Sequence, residues 1–229
     1  MNDAAKAVAW EESYERRENF VFSPSDEVVR FVARYLRRQK GLDDVLDVLP
    51  GAAGSKVLDI GCGVGRNLFF GSQMGLEMWG FDLSERAVAM ARDWLTSAGH
   101  PPAADQVVAS DIRTLPWPGG FFDHAMADSV LDSMSSEIAV AGIAEVARVL
   151  KPDGYFYCNL ISSEGSGSAG DTVVATQHEQ GTIQCYFDEA KARAFLEPHF
   201  VFLNCALHTI RDTIRGTAAG RWHLVLKRR

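Results

Sequence analysis

The chain has 229 residues, 47% hydrophobic and 23% charged, which suits one full α/β domain with a small helical extension and would crowd two large domains. That composition excludes collagen-like, disordered and disulfide-scaffold chains. A formal net charge of −7 argues against a general nucleic-acid binder, because neutralising phosphates needs a concentrated basic face.

The sequence begins MNDAAKAVAWEESYERREN, without the apolar core of a signal peptide, and no apolar run reaches the ~20 residues of a membrane span. A cytoplasmic protein with no membrane partner is expected. Residues 7–18 form a highly charged helical segment that becomes ordered only against another element. Ser23, Pro24 and Asp26 read as an N-cap, a first-turn proline and an acidic first turn. After them Val28, Val32, Tyr35 and Leu36 recur at helical spacing, so one face packs on a sheet. Arg34, Arg37, Arg38 and Lys40 read as a solvated helix face, and residues 1–50 as a helical cap on a core at 51–229.

From Lys56 onward helix follows strand repeatedly, the pattern of a parallel sheet with crossover helices. KVLDI, Lys56–Ile60, runs into GCGVG and a helix at 67–74. EMWGFD, Glu77–Asp82, is the second strand, and Ser84 caps a helix whose apolar stripe is Ala87, Met90, Ala91, Trp94 and Leu95. Strands at 106–110 and 121–127 follow, and a helix at 136–150 leads to a fifth strand at 154–161. The Gly/Ser-rich run 162–171 reads as a mobile loop. Beyond 181–187 and a short helix capped by Asp188, two long β-like runs, 200–210 and 221–227, make a hairpin with a long connection at 211–220. The sum is a Rossmann-like three-layer αβα sandwich on a mostly parallel seven-stranded sheet ending in an antiparallel hairpin.

Cys62, Cys158, Cys185 and Cys205 stand far apart with no C-x-x-C pair, so neither zinc-ligand spacing nor a redox motif is present and no metal is expected. The informative string is Val57-Leu58-Asp59-Ile60-Gly61-Cys62-Gly63-Val64-Gly65-Arg66. Glycines at a strand-to-helix junction let the backbone turn sharply and let a ligand approach, while the helix N-terminus offers free amides. Dinucleotide-binding folds use a related G-x-G-x-x-G, but here Arg66 occupies the third glycine position and Asp59 lies beside the turn. A pyrophosphate sits poorly next to that carboxylate, whereas a cationic amino-acid tail is welcome.

This string, with the motifs after it, resembles the class I S-adenosylmethionine-dependent methyltransferases over about residues 23–159. By that likeness S-adenosylmethionine is the cofactor, Asp59 orients the loop or the amino group, and Gly61, Cys62 and Gly63 contact the methionine portion. Asp82, ending G-F-D-L-S, looks like the residue that accepts both ribose hydroxyls; its two acceptor oxygens suit a cis-diol. Ser110, Asp111 and Ile112 look like the adenine-binding turn, with Leu83 and Ile112 on the adenine faces. F-D-H-A-M-A-D-S-V-L-D matches the fourth strand and the substrate-facing turn, placing Asp128 at the site, and A-R-V-L-K-P-D-G matches the turn before the fifth, with Asp153 replacing a common glycine. Trp10 and Tyr14, one helical turn apart, resemble residues that fold over the methionine end, and Arg30 resembles an arginine that meets the cofactor carboxylate.

The implied reaction is in-line displacement on the sulfonium methyl, in which the protein supplies proximity, alignment and exclusion of water. A general base is needed only if the acceptor must lose a proton, and Asp128, His178 and Glu179 are the candidates. No N-P-P-Y-like string follows the fourth strand, which favours a small-molecule acceptor over DNA. A nicotinamide-dependent oxidoreductase, a polyamine synthase and a non-catalytic protein retaining the fold are the rival readings.

Overall fold

The computed structural model describes residues 3–102, 105–164, 170–175 and 180–229. Near-continuous apolar runs form strands buried on both faces: β3 (Lys56–Ile60), β4 (Glu77–Asp82), β6 (His124–Ala127) and β7 (Tyr155–Ile161), with the partly exposed β5 (Val107–Ala109) at the sheet edge. With β10 (Phe200–Asp212) and β11 (Thr217–Arg228) they make a seven-stranded sheet ordered β10-β11-β7-β6-β3-β4-β5. Only β11 runs against the rest: it is antiparallel to both β7 and β10, while β5, β4, β3, β6 and β7 are mutually parallel. The chain winds from β3 outward through β4 to β5, then returns to β6 on the other side of β3. That reversal opens a crevice at the carboxyl ends of β3 and β6, where open α/β sheets bind ligands.

Alternation along the strands sorts the core into two halves. Val57, Met78, Met126, Tyr157 and Val225 face α2 (Asp26–Phe31), α3 (Arg66–Gln73) and α4 (Glu85–Ser97). Leu58, Ile60, Phe81, Ala125, Phe156 and Leu224 face α5 (Ser136–Val149) and α6 (Glu189–Leu196). α6 starts where expected: the Asp188 carboxylate accepts the Lys191 N–H at 2.7 Å. Asp188→Ala is expected to cost about 1 kcal/mol of stability, the usual scale of a lost N-cap, read as a lower urea midpoint.

Several expectations need correction. The cap of α2 is Ser25, not Ser23; its Oγ accepts the Val28 N–H at 3.4 Å, and the helix begins at Asp26 after Pro24. Val28, Val32 and Leu36 are buried as predicted, but Val32–Leu36 is a π-helical turn that gives way to a short hairpin of β1 (Arg37–Gln39) and β2 (Val45–Asp47). Arg37 therefore leaves the solvated face: its guanidinium bonds Asp47 and the carbonyls of Val45 and Met74, tying the hairpin to the end of α3. The terminal hairpin has a shorter connection than expected. Pairing runs to Asp212↔Thr217, and the Asp212 carboxylate accepts the N–H groups of Ile214 and Arg215, closing a tight turn that composition alone hid.

Part of the Gly/Ser-rich run is strand: β8 (Gly170–Val173) pairs antiparallel with β9 (Ile183–Tyr186). Residues 165–169 of that run, His178 and Glu179 lie outside the described residues. Asp153 adopts φ 63°, the left-handed conformation that glycine takes freely and aspartate tolerates, and its carboxylate pairs with Lys227 at 2.8 Å. Among the described residues no helix is long and apolar enough to cross a membrane.

Candidate active site

A cleft of ≈ 240 Å³ lies across the carboxyl ends of β3, β4, β5 and β6. α1 (Asp3–Glu15) contributes Trp10 and Tyr14 to its wall. Tyr14 is buried and packs with Val64 and Ala87, and Glu11 reaches Arg86 on α4, so the charged first helix is ordered against the core as its sequence requires.

The floor is the turn after β3. Gly61, Gly63 and Gly65 all have positive φ, at 62°, 52° and 92°, so this backbone path depends on glycine. A Cβ on Gly61 would lie 2.7 Å from the Val130 side chain, which shows how closely the turn approaches the segment after β6. Asp82, at the tip of β4, accepts the Gly63 N–H at 2.9 Å through Oδ2 and the Ser84 N–H at 3.0 Å through Oδ1. The Leu83 backbone N–H also acts on this carboxylate, so the tip of β4 holds it with three backbone donors. Burial raises the Asp82 pKa, against the backbone N–H groups that hold the charged form.

Asp59 lies behind the turn rather than in the cleft wall, and is fully buried. Its Oδ1 accepts the Asn67 amide at 3.4 Å, while Asp59 Oδ2 and Asn67 Oδ1 have no hydrogen-bond partner. Desolvation pushes the Asp59 pKa up to about 8. Cys62 lines the cleft, its thiol held well above its usual range by burial and by the neighbouring carboxylates Asp82 and Asp59.

On the β5 side Leu83, Ser110, Asp111 and Ile112 all line the cleft. Asp111 is tied to Arg113 by ion-pair contacts of 2.6 and 2.9 Å. Ile112 is buried against α5, where a Cβ on Gly142 would come within 2.8 Å of it. Gly142→Ala is therefore expected to push the stiff, β-branched Ile112 toward the cleft, at about 1–3 kcal/mol for overpacking. Thermal unfolding and ligand calorimetry should show lower stability and weaker cofactor binding together.

On the β6 side Asp128 lines the cleft, and both of its oxygens are engaged. Oδ2 pairs with Arg66 at 2.7 Å and Oδ1 accepts the Asn159 amide at 2.6 Å. Arg30 is not at the site. The buried face of α2 is Val28 and Phe31, which turns Arg30 outward, exposed and paired with Glu27 at 3.2 Å. The cation beside the glycine turn is instead Arg66, which the sequence marks only as the residue standing where a dinucleotide fold has its third glycine. Asn159 was missed; a lone amide near the end of the apolar strand GYFYCNLI was its signal. His124 is structural: its Nδ1 accepts the Tyr155 N–H at 3.1 Å, and burial lowers its pKa to about 4. Among the described residues no group of His, Cys, Asp and Glu is placed to hold a metal ion.

Residues 57–154, spanning the glycine turn, the Asp82 strand and the loop before β7, match the family model of the methyltransferase domain. Over that stretch the chain is similar to the class I S-adenosylmethionine-dependent methyltransferases. It is 29% identical over 154 residues to a malonyl-[acyl-carrier protein] O-methyltransferase of Pectobacterium atrosepticum, covering 64% of this chain and 53% of that protein. It is 31% identical over 117 residues to a ubiquinone biosynthesis O-methyltransferase of Thiobacillus denitrificans, covering 51% and 49%. The chain thus spans about half the length of these curated relatives. In fold it is similar to the 1,6-didemethyltoxoflavin-N1-methyltransferase of Burkholderia thailandensis, crystallised with 1,6-didemethyltoxoflavin and S-adenosylhomocysteine, with TM-score 0.70 at 17% identity over 98% of this chain and 88% of that one.

The methyltransferase cofactor, S-adenosylmethionine, fits the residues present. Two buried acceptors, Asp59 Oδ2 and Asn67 Oδ1, lack donors among the described residues and suit a group that brings N–H donors and positive charge. A pyrophosphate would bring only further acceptor oxygens there and no N–H donor.

Proposed function

We propose that this protein transfers a methyl group from S-adenosylmethionine to a small, largely apolar acceptor molecule. The observation that carries the reading is the pairing of the Asp82 carboxylate at the tip of β4, lining the cleft, with the unpartnered Asp59 Oδ2 behind the adjoining glycine turn. When bound, S-adenosylmethionine supplies an already activated methyl electrophile. Asp82 would hold the ribose, Leu83 and Ile112 the adenine faces, and the Gly61 to Gly63 turn with Asp59 the amino-acid end.

The sheet order supports an orientation for the ligands along the cleft. Leu83 and Ser110 to Arg113 follow β4 and β5, so the nucleoside end is theirs, and the acceptor end falls to the segment after β6 and to β9. Val130, Met134, Ile138 and Ile183 line that end, with Ser129, Ser133 and Thr182 as neutral polar neighbours and the Asp128 carboxylate already engaged by Arg66 and Asn159. Such a wall favours a neutral, apolar body and offers nothing to a phosphate backbone. Trp10 and Tyr14 restrict water from α1, and exclusion of water with alignment is the main service a pre-activated electrophile needs. Asp128, with both oxygens occupied, serves to hold this wall in place rather than to take a proton.

Incubation with methyl-labelled S-adenosylmethionine and a metabolite extract of the source organism should yield a labelled small molecule. Calorimetry should show S-adenosylhomocysteine binding and no binding of nicotinamide dinucleotides. Dinucleotide binding would support the oxidoreductase, and cofactor binding with no labelled product in any acceptor pool would support a non-catalytic role.

A further inference from the structure

The acceptor-facing segment after β6 is held by a residue from the far end of the chain. Arg221, on β11, directs Nη1 to Asp132 Oδ2 at 2.8 Å and to Asn159 Oδ1 at 3.0 Å. The same Asn159 oxygen accepts the Ser129 N–H at 2.7 Å, and the Asn159 amide nitrogen donates to Asp128 at 2.6 Å. Ser129 has φ 64°, a left-handed conformation unfavourable for serine, so this turn depends on its surroundings to persist. Asp132 adds two more ties: its carboxylate accepts the Ile161 N–H at 2.8 Å and its carbonyl accepts the Cys185 N–H at 2.7 Å. Asp132 is fully buried, and Arg221 supplies the positive charge beside it.

We propose that Arg221 is a positioning residue for methyl transfer: through Asn159 and Asp132 it fixes the turn from Asp128 to Asp132, and with it the acceptor wall formed by Val130, Ser133 and Met134. The inference rests on the methyl-transfer reading for its catalytic consequence, but its structural half stands apart. None of the groups Arg221 touches is on the nucleoside side of the cleft, so cofactor affinity is separable from acceptor geometry.

The test compares Arg221→Met and Arg221→Lys with the parent protein by hydrogen–deuterium exchange, calorimetry with S-adenosylhomocysteine, and transfer of labelled methyl to the extract acceptor. In Arg221→Met, exchange should accelerate about tenfold or more over residues 128–134 while residues 61–68 keep their protection. S-Adenosylhomocysteine affinity should stay within about twofold, and transfer per folded molecule should fall at least about tenfold, as expected when a reacting partner is misplaced. Arg221→Lys carries a nitrogen with three donors for the same two acceptors and should restore both protection and transfer. Exchange rising equally throughout, S-adenosylhomocysteine affinity falling in step with transfer, or a folded Arg221→Lys that behaves like Arg221→Met would overturn the proposal. If Arg221→Met fails to fold, Arg221→Lys decides: retained protection over 128–134 supports the proposal and its loss refutes it. Absence of S-adenosylhomocysteine binding in the parent protein would sink the methyl-transfer reading instead, leaving the exchange comparison to judge the positioning role.

Discussion

Asp59→Asn is expected to make the ligand-free protein more stable at alkaline pH while weakening its hold on the cofactor. Burial raises the Asp59 pKa from 3.8 to about 8. Below pH ~4 the carboxyl is protonated in both the folded and unfolded chain and costs nothing. Between there and pH 8 the unfolded chain releases the proton and the folded one keeps it, so stability falls as pH rises; above pH 8 the loss levels off. A shift of this size corresponds to on the order of 5 kcal/mol between the two limits. An amide cannot ionise, so Asp59→Asn removes this slope, while its carbonyl oxygen can keep the contact that Asp59 Oδ1 makes with the Asn67 amide. Urea melts from pH 4 to pH 9 should therefore show the two proteins converging at the acid end and the variant ahead at the alkaline end. Cofactor binding to the parent protein at pH 7 should release a proton, seen as a binding enthalpy that depends on the buffer, and this dependence should vanish in the variant. A stability difference that does not change with pH would refute the assignment of a buried, neutral Asp59.

Asp82→Ala should weaken S-adenosylhomocysteine binding by roughly 1–3 kcal/mol, the scale for hydrogen bonds to a charged group. The structure adds a second effect. The N–H groups of Gly63 and Ser84 lose their common acceptor, so the glycine turn loses its tie to β4 and the protein should also unfold more easily. Asp82→Asn keeps one carboxamide oxygen and should fall between the two in affinity. Calorimetry that finds affinity unchanged in Asp82→Ala would remove the ribose role from this residue, and with it the main support for the cofactor's orientation in the cleft.

The parts of this protein that could be read from sequence are those written in short stretches of chain. A strand, a turn and a helix are specified by neighbours, so Val57 to Arg66, the Asp82 tip, the Ser110 to Ile112 turn and the caps at Ser84 and Asp188 all stand where the residues placed them. The αβα sandwich was legible for the same reason, because alternating strand and helix periods leave few ways to bury both faces of a sheet. Errors arose where two local signals competed. Ser23 and Ser25 both suit a cap, and only docking of Val28 and Phe31 on the sheet selected Ser25; the same docking turned Arg30 to solvent.

What only the tertiary structure decided is the meeting of residues far apart in the chain. Insertion of β11 between β10 and β7 brings Arg221 to Asn159 and Asp132, and the approach of α3 to the end of β6 joins Arg66 to Asp128. Periodicity records which face of an element is apolar, not which strand becomes its neighbour. The sequence by itself thus determined the fold class and the glycine turn after β3, whereas strand order decided which charges hold the segment after β6, because long-range pairing depends on how whole elements bury one another.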